Sequence, residues 1–426
     1  VSVRGRASKR ARKRPAVRCS RRLFFGFCGN VAGRVASWSV AIRITELLQA
    51  RMRGIRITRL RIRIRISVRR QASGIGCRDR ASWQKTIKAP LMVLVAIAKA
   101  PGAAGRMKRI GNVWGRVCSL ENIEIAHDKA RKGKAHYREV QMVEADRSRY
   151  LMMIHDMLES MSYRNSAYQV MMVCDGKKDR EIWKLPYFPD RIIHHAIVNV
   201  MEPVWIATLI RDSYAAIPGR GVHDGVRRVR RALENAEGSR YCLKMDVRKF
   251  YQSIDHQVLK EVLRQKIKDK SLLWLLDEII DSAPGVPIGN YTSQYFGNLY
   301  LSGLDHWVKE GLGVRHYFRY CDDMVVFGSD KSELHRLRVL IDRFMRNRLR
   351  LEMKTNWQVF PVDVRGVDFL GYRFFRAYTL VRKSIVKRFI NSVRAEKTAS
   401  VPAYNGWFSW ADTYNLVRKY GCRCGV

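Results

Sequence analysis

The run Tyr320-Cys321-Asp322-Asp323 is where this chain carries the residue types for chemistry. It lies between two apolar runs, 314–318 and 324–327, a pattern that predicts strand, tight turn and strand with the acids at the turn. Adjacent carboxylates on a hairpin tip repel each other and are costly unless a cation neutralises them. A third acid, Asp246, ends the short apolar run Leu243-Lys244-Met245 earlier in the chain. Three hard oxygen donors on neighbouring strands are what two Mg²⁺ ions, or Mn²⁺ in their place, need to hold a triphosphate and an attacking hydroxyl. The chemistry implied is nucleotidyl transfer.

The elements that must position these acids follow from periodicity and turn residues. Helices are expected at 123–134, 147–160 and 191–202, the last closed by Pro203, and a basic helix after a Pro-Gly turn within 213–233. Strand and turn occupy 241–254, helices 255–268 and 272–280, a turn 284–290 and a helix 291–310. After the acidic hairpin come a helix at 331–350 and short strands within 357–375. The order β-α-α-β-β-α-β predicts an α+β fold with a ferredoxin-like sheet, helices on one face and carboxylates on the other.

Composition narrows the partners. The 426 residues carry a formal net charge of +43 and are 47% hydrophobic. Residues 1–106 hold 27 Lys and Arg against Glu46 and Asp79, while the rest holds 54 basic and 36 acidic residues. Such an excess points to a polyanion, nucleic acid above all. The nine cysteines contain no CxxC pair, which argues against zinc and a disulfide framework and fits a reducing, cytoplasmic setting. The longest apolar run, 91–98, is too short for a membrane helix, so no membrane partner is expected. Residues 55–70 alternate Ile or Leu with Arg, formally an amphipathic strand. Two readings of 1–106 stand: a basic RNA-binding arm, or a disordered extension read from upstream of a natural start at Met107, where composition changes sharply.

Seven ordered blocks from about Met107 to Tyr420 resemble reverse transcriptases. Lys244-Met245-Asp246-Val247-Arg248-Lys249-Phe250-Tyr251 resembles the first catalytic block. The resemblance implies that Asp246 binds both metals with the Val247 carbonyl as a further ligand, and that Tyr251 is the steric gate against ribonucleotides. Tyr320-Cys321-Asp322-Asp323 resembles the YxDD block, with Asp322 and Asp323 as metal ligands and Tyr320 near the primer terminus. Pro287-Ile288-Gly289-Asn290-Tyr291-Thr292-Ser293-Gln294 stands where most of the family has Pro-Gln-Gly. Its IGxxxSQ form, through Ile288, Gly289 and Gln294, resembles diversity-generating retroelements, which copy a template RNA with errors opposite adenine. An alkyl group at 288 makes no hydrogen bond near the incoming dNTP, so right and wrong pairs differ less in energy. Ile288 is otherwise a neutral apolar replacement.

The same resemblance implies a right-hand polymerase with fingers at 107–240, palm at 241–375 and a short helical thumb at 376–426. Lys184 and Arg191, in 184–194, would lie along the template. Arg220 would reach the triphosphate, with Arg211 a weaker candidate and His223 a turn residue. Lys354 would protonate the leaving pyrophosphate unless it is a solvated surface lysine. Phe369-Leu370-Gly371-Tyr372 would grip the primer, Gly371 allowing close approach. Implied partners are a structured template RNA, its cDNA, dNTPs and a small basic oligomeric accessory protein, in a prokaryotic or phage-encoded element. The alternatives are a faithful polymerase of group II intron or retron type, and an RNA-binding protein with an abandoned site.

Overall fold

The computed structural model describes residues 17–31, 34–50, 55–67, 108–175, 178–395 and 401–420. The chain divides into two compact units, Val1–Pro90 and Leu91–Val426. In the first unit β1 (Val17–Val31), β2 (Arg34–Ala50) and β3 (Ile55–Ser67) form an antiparallel sheet in that order. The period-two pattern at 55–70 needed a partner to become a ladder, and β2 supplies it. The expected start at Met107 lies outside the described residues.

The second unit opens with α1 (Trp114–Cys118), α2 (Leu120–Arg131), α3 (Arg138–Ala145) and α4 (Arg147–Glu159). Ser119 and Asp146 cap α2 and α4 by accepting from the amides of Asn122 and Arg149. A hairpin of β4 (Gln169–Asp175) and β5 (Lys178–Lys184) follows, which sequence periodicity did not reveal. It then leads to α5 (Ile192–Ala207). Pro203, expected to end α5, lies inside it. The helix runs on because Trp205, beyond the proline, is 1% exposed in the core, and that burial outweighs one missing amide donor.

After α6 (Val222–Glu234) comes the sheet that carries the acids. Its strands are β6 (Tyr241–Asp246), β7 (Tyr317–Tyr320), β8 (Asp323–Gly328) and β9 (Gln358–Pro361), in the order β7-β8-β6-β9. Between β6 and β7 run α7 (His256–Arg264), α8 (Lys270–Asp281) and α9 (Ser293–His306), and α10 (Lys331–Leu349) links β8 to β9. This is the split β-α-β arrangement expected from the element order. The chain ends in α11 (Val362–Arg365), a small sheet of β10 (Val367–Phe369), β11 (Tyr372–Phe374) and β12 (Thr379–Val381), and α12 (Lys383–Arg394), α13 (Val401–Phe408) and α14 (Tyr414–Tyr420).

Strand alternation sends the two sheet faces into different cores. Leu243, Met245, Tyr317, Met324 and Val326 join the large core of α1–α5 and α7–α10. Cys242, Phe318, Val325, Phe327 and Phe360 join a second core with α6, the β10–β12 sheet and α12–α13. The carboxylate face is thus not bare, as a sheet with helices on one side only would be. It is covered at one end and leaves the ends of β6 and β8 open.

Candidate active site

Register brings the acids together. Asp246, last in β6, pairs with Asp323, first in β8, and Tyr320 pairs with Asp323 across a two-residue turn of Cys321 and Asp322. Cys321 sits at the tip with φ +56°, a left-handed conformation that suits such a turn but strains a side chain with a Cβ. Two contacts fix it. Arg319 Nη1 donates to the Cys321 carbonyl at 2.9 Å, and Tyr251 Oη lies 3.1 Å from Cys321 Sγ. Arg319 is wholly buried and forks onto Asp305 of α9, also wholly buried, at 2.6–3.0 Å. The hairpin tip is therefore bolted to α9 from beneath.

Charge at the site is unbalanced. Burial, then the Asp246 carboxylate beside it, pushes Asp322 up to about 6. Burial also raises Asp323, with Lys244 opposing the rise. Lys354 Nζ donates to Asp246 Oδ2 at 2.6 Å, and Lys244 Nζ to Asp323 Oδ2 at 3.2 Å. The other oxygen of each, Asp246 Oδ1 and Asp323 Oδ1, is buried with no hydrogen-bond partner. As the side chains stand, no group of three or more His, Cys, Asp or Glu among the described residues is placed to hold a metal ion. Val247 bridges Met353, but the ladder bonds there are made by Lys354 N to Asp246 O at 2.8 Å and Arg248 N to Glu352 O at 2.8 Å. The Val247 carbonyl takes no part in that ladder.

The remaining expected residues fall into three groups. Tyr320, 37% exposed, lines a cavity of about 330 Å³ with Asp323, Leu370, Gly371, Arg382 and Trp407. Tyr251 lies half-buried beside Phe250, its hydroxyl fixed on the hairpin tip and held un-ionised by burial. Ile288 and Gly289 sit under the β4–β5 hairpin: Trp183 N donates to Ile288 O at 2.9 Å, and a Cβ on Gly289 (φ +138°) would stand 2.4 Å from Trp183 O. Gln294 is exposed in the first turn of α9.

Several other expected residues have partners within the protein. Phe369 and Tyr372, expected at the primer, are fully buried in the second core. Gly371 (φ +83°) does allow a close approach, but of Trp407: a Cβ there would lie 2.3 Å from Trp407 Cζ3. Arg220 donates to the Ile210 carbonyl at 3.2 Å, and Arg211 forks onto Asp224 at 2.6 and 3.1 Å. His223 belongs to α6 and stacks on Trp410, with centroids 5.0 Å apart. Lys184 ends β5 with its ammonium 5.8 Å from the Tyr137 ring centroid, and Arg191 leads into α5. Sequence reasoning missed Lys244, Arg319 and Trp183. Period-two spacing places Lys244 on the same face of β6 as Asp246 and gave a signal for the first.

Register thus sets an acidic hairpin against a β6 carboxylate in a split β-α-β sheet. Residues 176–374 match the family model described as reverse transcriptase (RNA-dependent DNA polymerase). The chain is similar to protein YkfC of Escherichia coli K12, 26% identical over 237 residues, covering 45% of this chain and 62% of YkfC. It is also similar to the group II intron-encoded protein LtrA of Lactococcus lactis, 24% identical, covering 32% of this chain and 24% of LtrA. A third relative is the mitochondrial nuclear intron maturase 1 of Arabidopsis thaliana, 29% identical, covering 22% of this chain and 12% of the maturase. The chain therefore spans less than two thirds of the length of these relatives. Among solved structures it is similar to apo telomerase from Candida tropicalis, 12% identical with a TM-score of 0.40, covering 50% of this chain and 48% of that one.

Proposed function

We propose that this chain is an RNA-directed DNA polymerase that extends a primer along a structured template RNA, and that it does so with frequent errors opposite adenine. The observation that carries the polymerase reading is the pairing of Asp246 with Asp323 beside Asp322, with a buried, unpartnered oxygen on each of the paired acids. The donor set fits divalent ions: Asp246, Asp322 and Asp323 with the Val247 carbonyl are all hard oxygens, and Asp246 Oδ1 and Asp323 Oδ1 are buried without a partner. Bound Mg²⁺ would polarise the α-phosphate and favour the alkoxide of the primer 3′-hydroxyl.

The chain's own residues supply the rest. Lys354, next to Asp246, would give a proton to departing pyrophosphate. Tyr251, held on the hairpin tip, walls the sugar site. Tyr320 and the 370–371 turn face one cavity, where a primer end would sit once Trp407 moves from Gly371. In this reading 241–375 is the palm, 107–240 the fingers and 376–426 the thumb. A small basic accessory protein would present the RNA, in a prokaryotic cytoplasm.

The error-prone reading rests on Ile288, Gly289 and Gln294. A second reading, faithful synthesis of the group II intron type, is favoured by the similarity to LtrA and the maturase. Primer extension on an RNA template with Mg²⁺, followed by sequencing of the products, tests both. Absence of extension sinks the polymerase; errors spread evenly over the four template bases sink the retroelement assignment.

A further inference from the structure

Lys244 has no part in the function proposed so far, yet its ammonium is the sole cation shown donating to Asp323 among the described residues. It is held from two sides. Besides Asp323 Oδ2 at 3.2 Å, it donates to the Asp368 carbonyl in β10. The Asp368 carboxylate in turn accepts from Arg382, at 2.7 Å from Nε, and Arg382 N donates to Gly371 O at 2.9 Å. Lys244 is thus tethered to β10 as well as to Asp323. Lys354 makes the mirror contact with Asp246, and among the described residues that acid is the one side-chain partner shown for its ammonium.

We infer that Lys244 is a resident counter-ion for Asp323. It stands in for positive charge while the site is empty, and it must be displaced from Oδ2 before both oxygens of that carboxylate can serve a metal. The inference rests on the polymerase reading. Its physical basis is competition: a half-buried ammonium and a divalent ion cannot both neutralise one oxygen, so the affinity of the empty protein for metal is reduced by the stability of the lysine contact. Asp323 offers a metal only its Oδ1 until the tethered donor leaves Oδ2. Lys244 is a positioning residue, acting through Asp323.

The test is Lys244→Met, which keeps the stem and removes the charge, with Lys244→Arg as the conservative variant. Full-length proteins without nucleotide or nucleic acid are titrated with Mg²⁺ and, separately, Mn²⁺, following binding by calorimetry and the metal-induced shift in thermal midpoint. The metal-free K244M protein is expected to melt lower than wild type, to bind Mg²⁺ roughly three- to tenfold more tightly, about 0.7–1.4 kcal/mol, and to show the larger metal-induced shift. K244R is expected to return affinity towards wild type. A residue that only supported the fold would give weaker metal binding when lost, so equal or weaker Mg²⁺ binding by folded K244M overturns the inference. Wild-type protein that binds no Mg²⁺ and extends no primer overturns the polymerase reading instead.

Discussion

At the scale of single residues, the site holds carboxylates that repel one another. Asp322 and Asp246 share a half-buried tip, and burial with mutual repulsion raises Asp322 to about 6. Removing one charge relieves that repulsion. Asp322→Asn is therefore expected to raise the thermal midpoint of the metal-free protein, by about 1 kcal/mol or roughly 2 °C for a unit of this size. The same change is expected to cut primer extension by at least about 10²–10³-fold. Calorimetric melting and a timed extension assay read the two effects; a lower midpoint would show that Asp322 is a structural acid. Ile288 carries the selectivity claim. Its half-buried side chain and a backbone carbonyl fixed by Trp183 leave room for a side-chain change without moving the loop. Ile288→Gln restores a hydrogen-bonding group and is expected to lower misincorporation at template adenines about tenfold, the effect of one contact of ~1.4 kcal/mol. An unchanged error spectrum would make Ile288 a family marker without mechanism.

At the scale of elements, the acidic hairpin owes its shape to a helix. Tyr317 and Arg319 alternate onto the face of β7 that meets α9, where Asp305 accepts from the Tyr317 hydroxyl at 2.7 Å and from Arg319. Arg319 also reaches Asn298 Oδ1 at 3.1 Å and the strained Cys321 carbonyl. Breaking a buried pair from one side strands the other charge, so Arg319→Met is expected to cost about 3–5 kcal/mol. The urea midpoint measures this, and a loss below about 1 kcal/mol would mean the pair is replaceable. The acids, the hairpin and the order of the sheet were legible because each depends on local sequence: turn residues, alternation and spacing. Arg319 was not, because its meaning lies in Asp305 on another element. The burial of Phe369 and Tyr372 was likewise invisible, since only packing of α13 against β10–β11 decides whether an aromatic beside a Gly faces a ligand or a core.

At the scale of the molecule, two cores share one sheet, and the larger of them shelters groups that acid will charge. Most of that core was foreseen as helices, but α5 passing Pro203 and the β4–β5 hairpin were not, because burial of Trp205 and pairing between strands are tertiary facts. His194 and His195 of α5 are held neutral by burial, each pushed down to about 3, with nearby cations adding to the effect. In the unfolded chain both would ionise near 6.5. Because the folded values lie below the unfolded one, their contribution to stability is complete above about 6.5 and is lost as pH falls from there towards 3. The lowered carboxylates Asp212 and Asp224 act only further down, below about 3.9, whereas raised Asp322 and Asp323 oppose the histidines in the metal-free protein. Comparing wild type with His194→Gln cancels that opposition. Between pH 6 and 4.5 the wild type should lose stability more steeply, by about 1.4 kcal/mol per pH unit for the one proton involved, whatever the absolute cost of the substitution. Parallel curves from denaturant titrations across that range would mean that His194 is not kept neutral by its burial, and the charge balance of this core would have to be assigned to His195 alone.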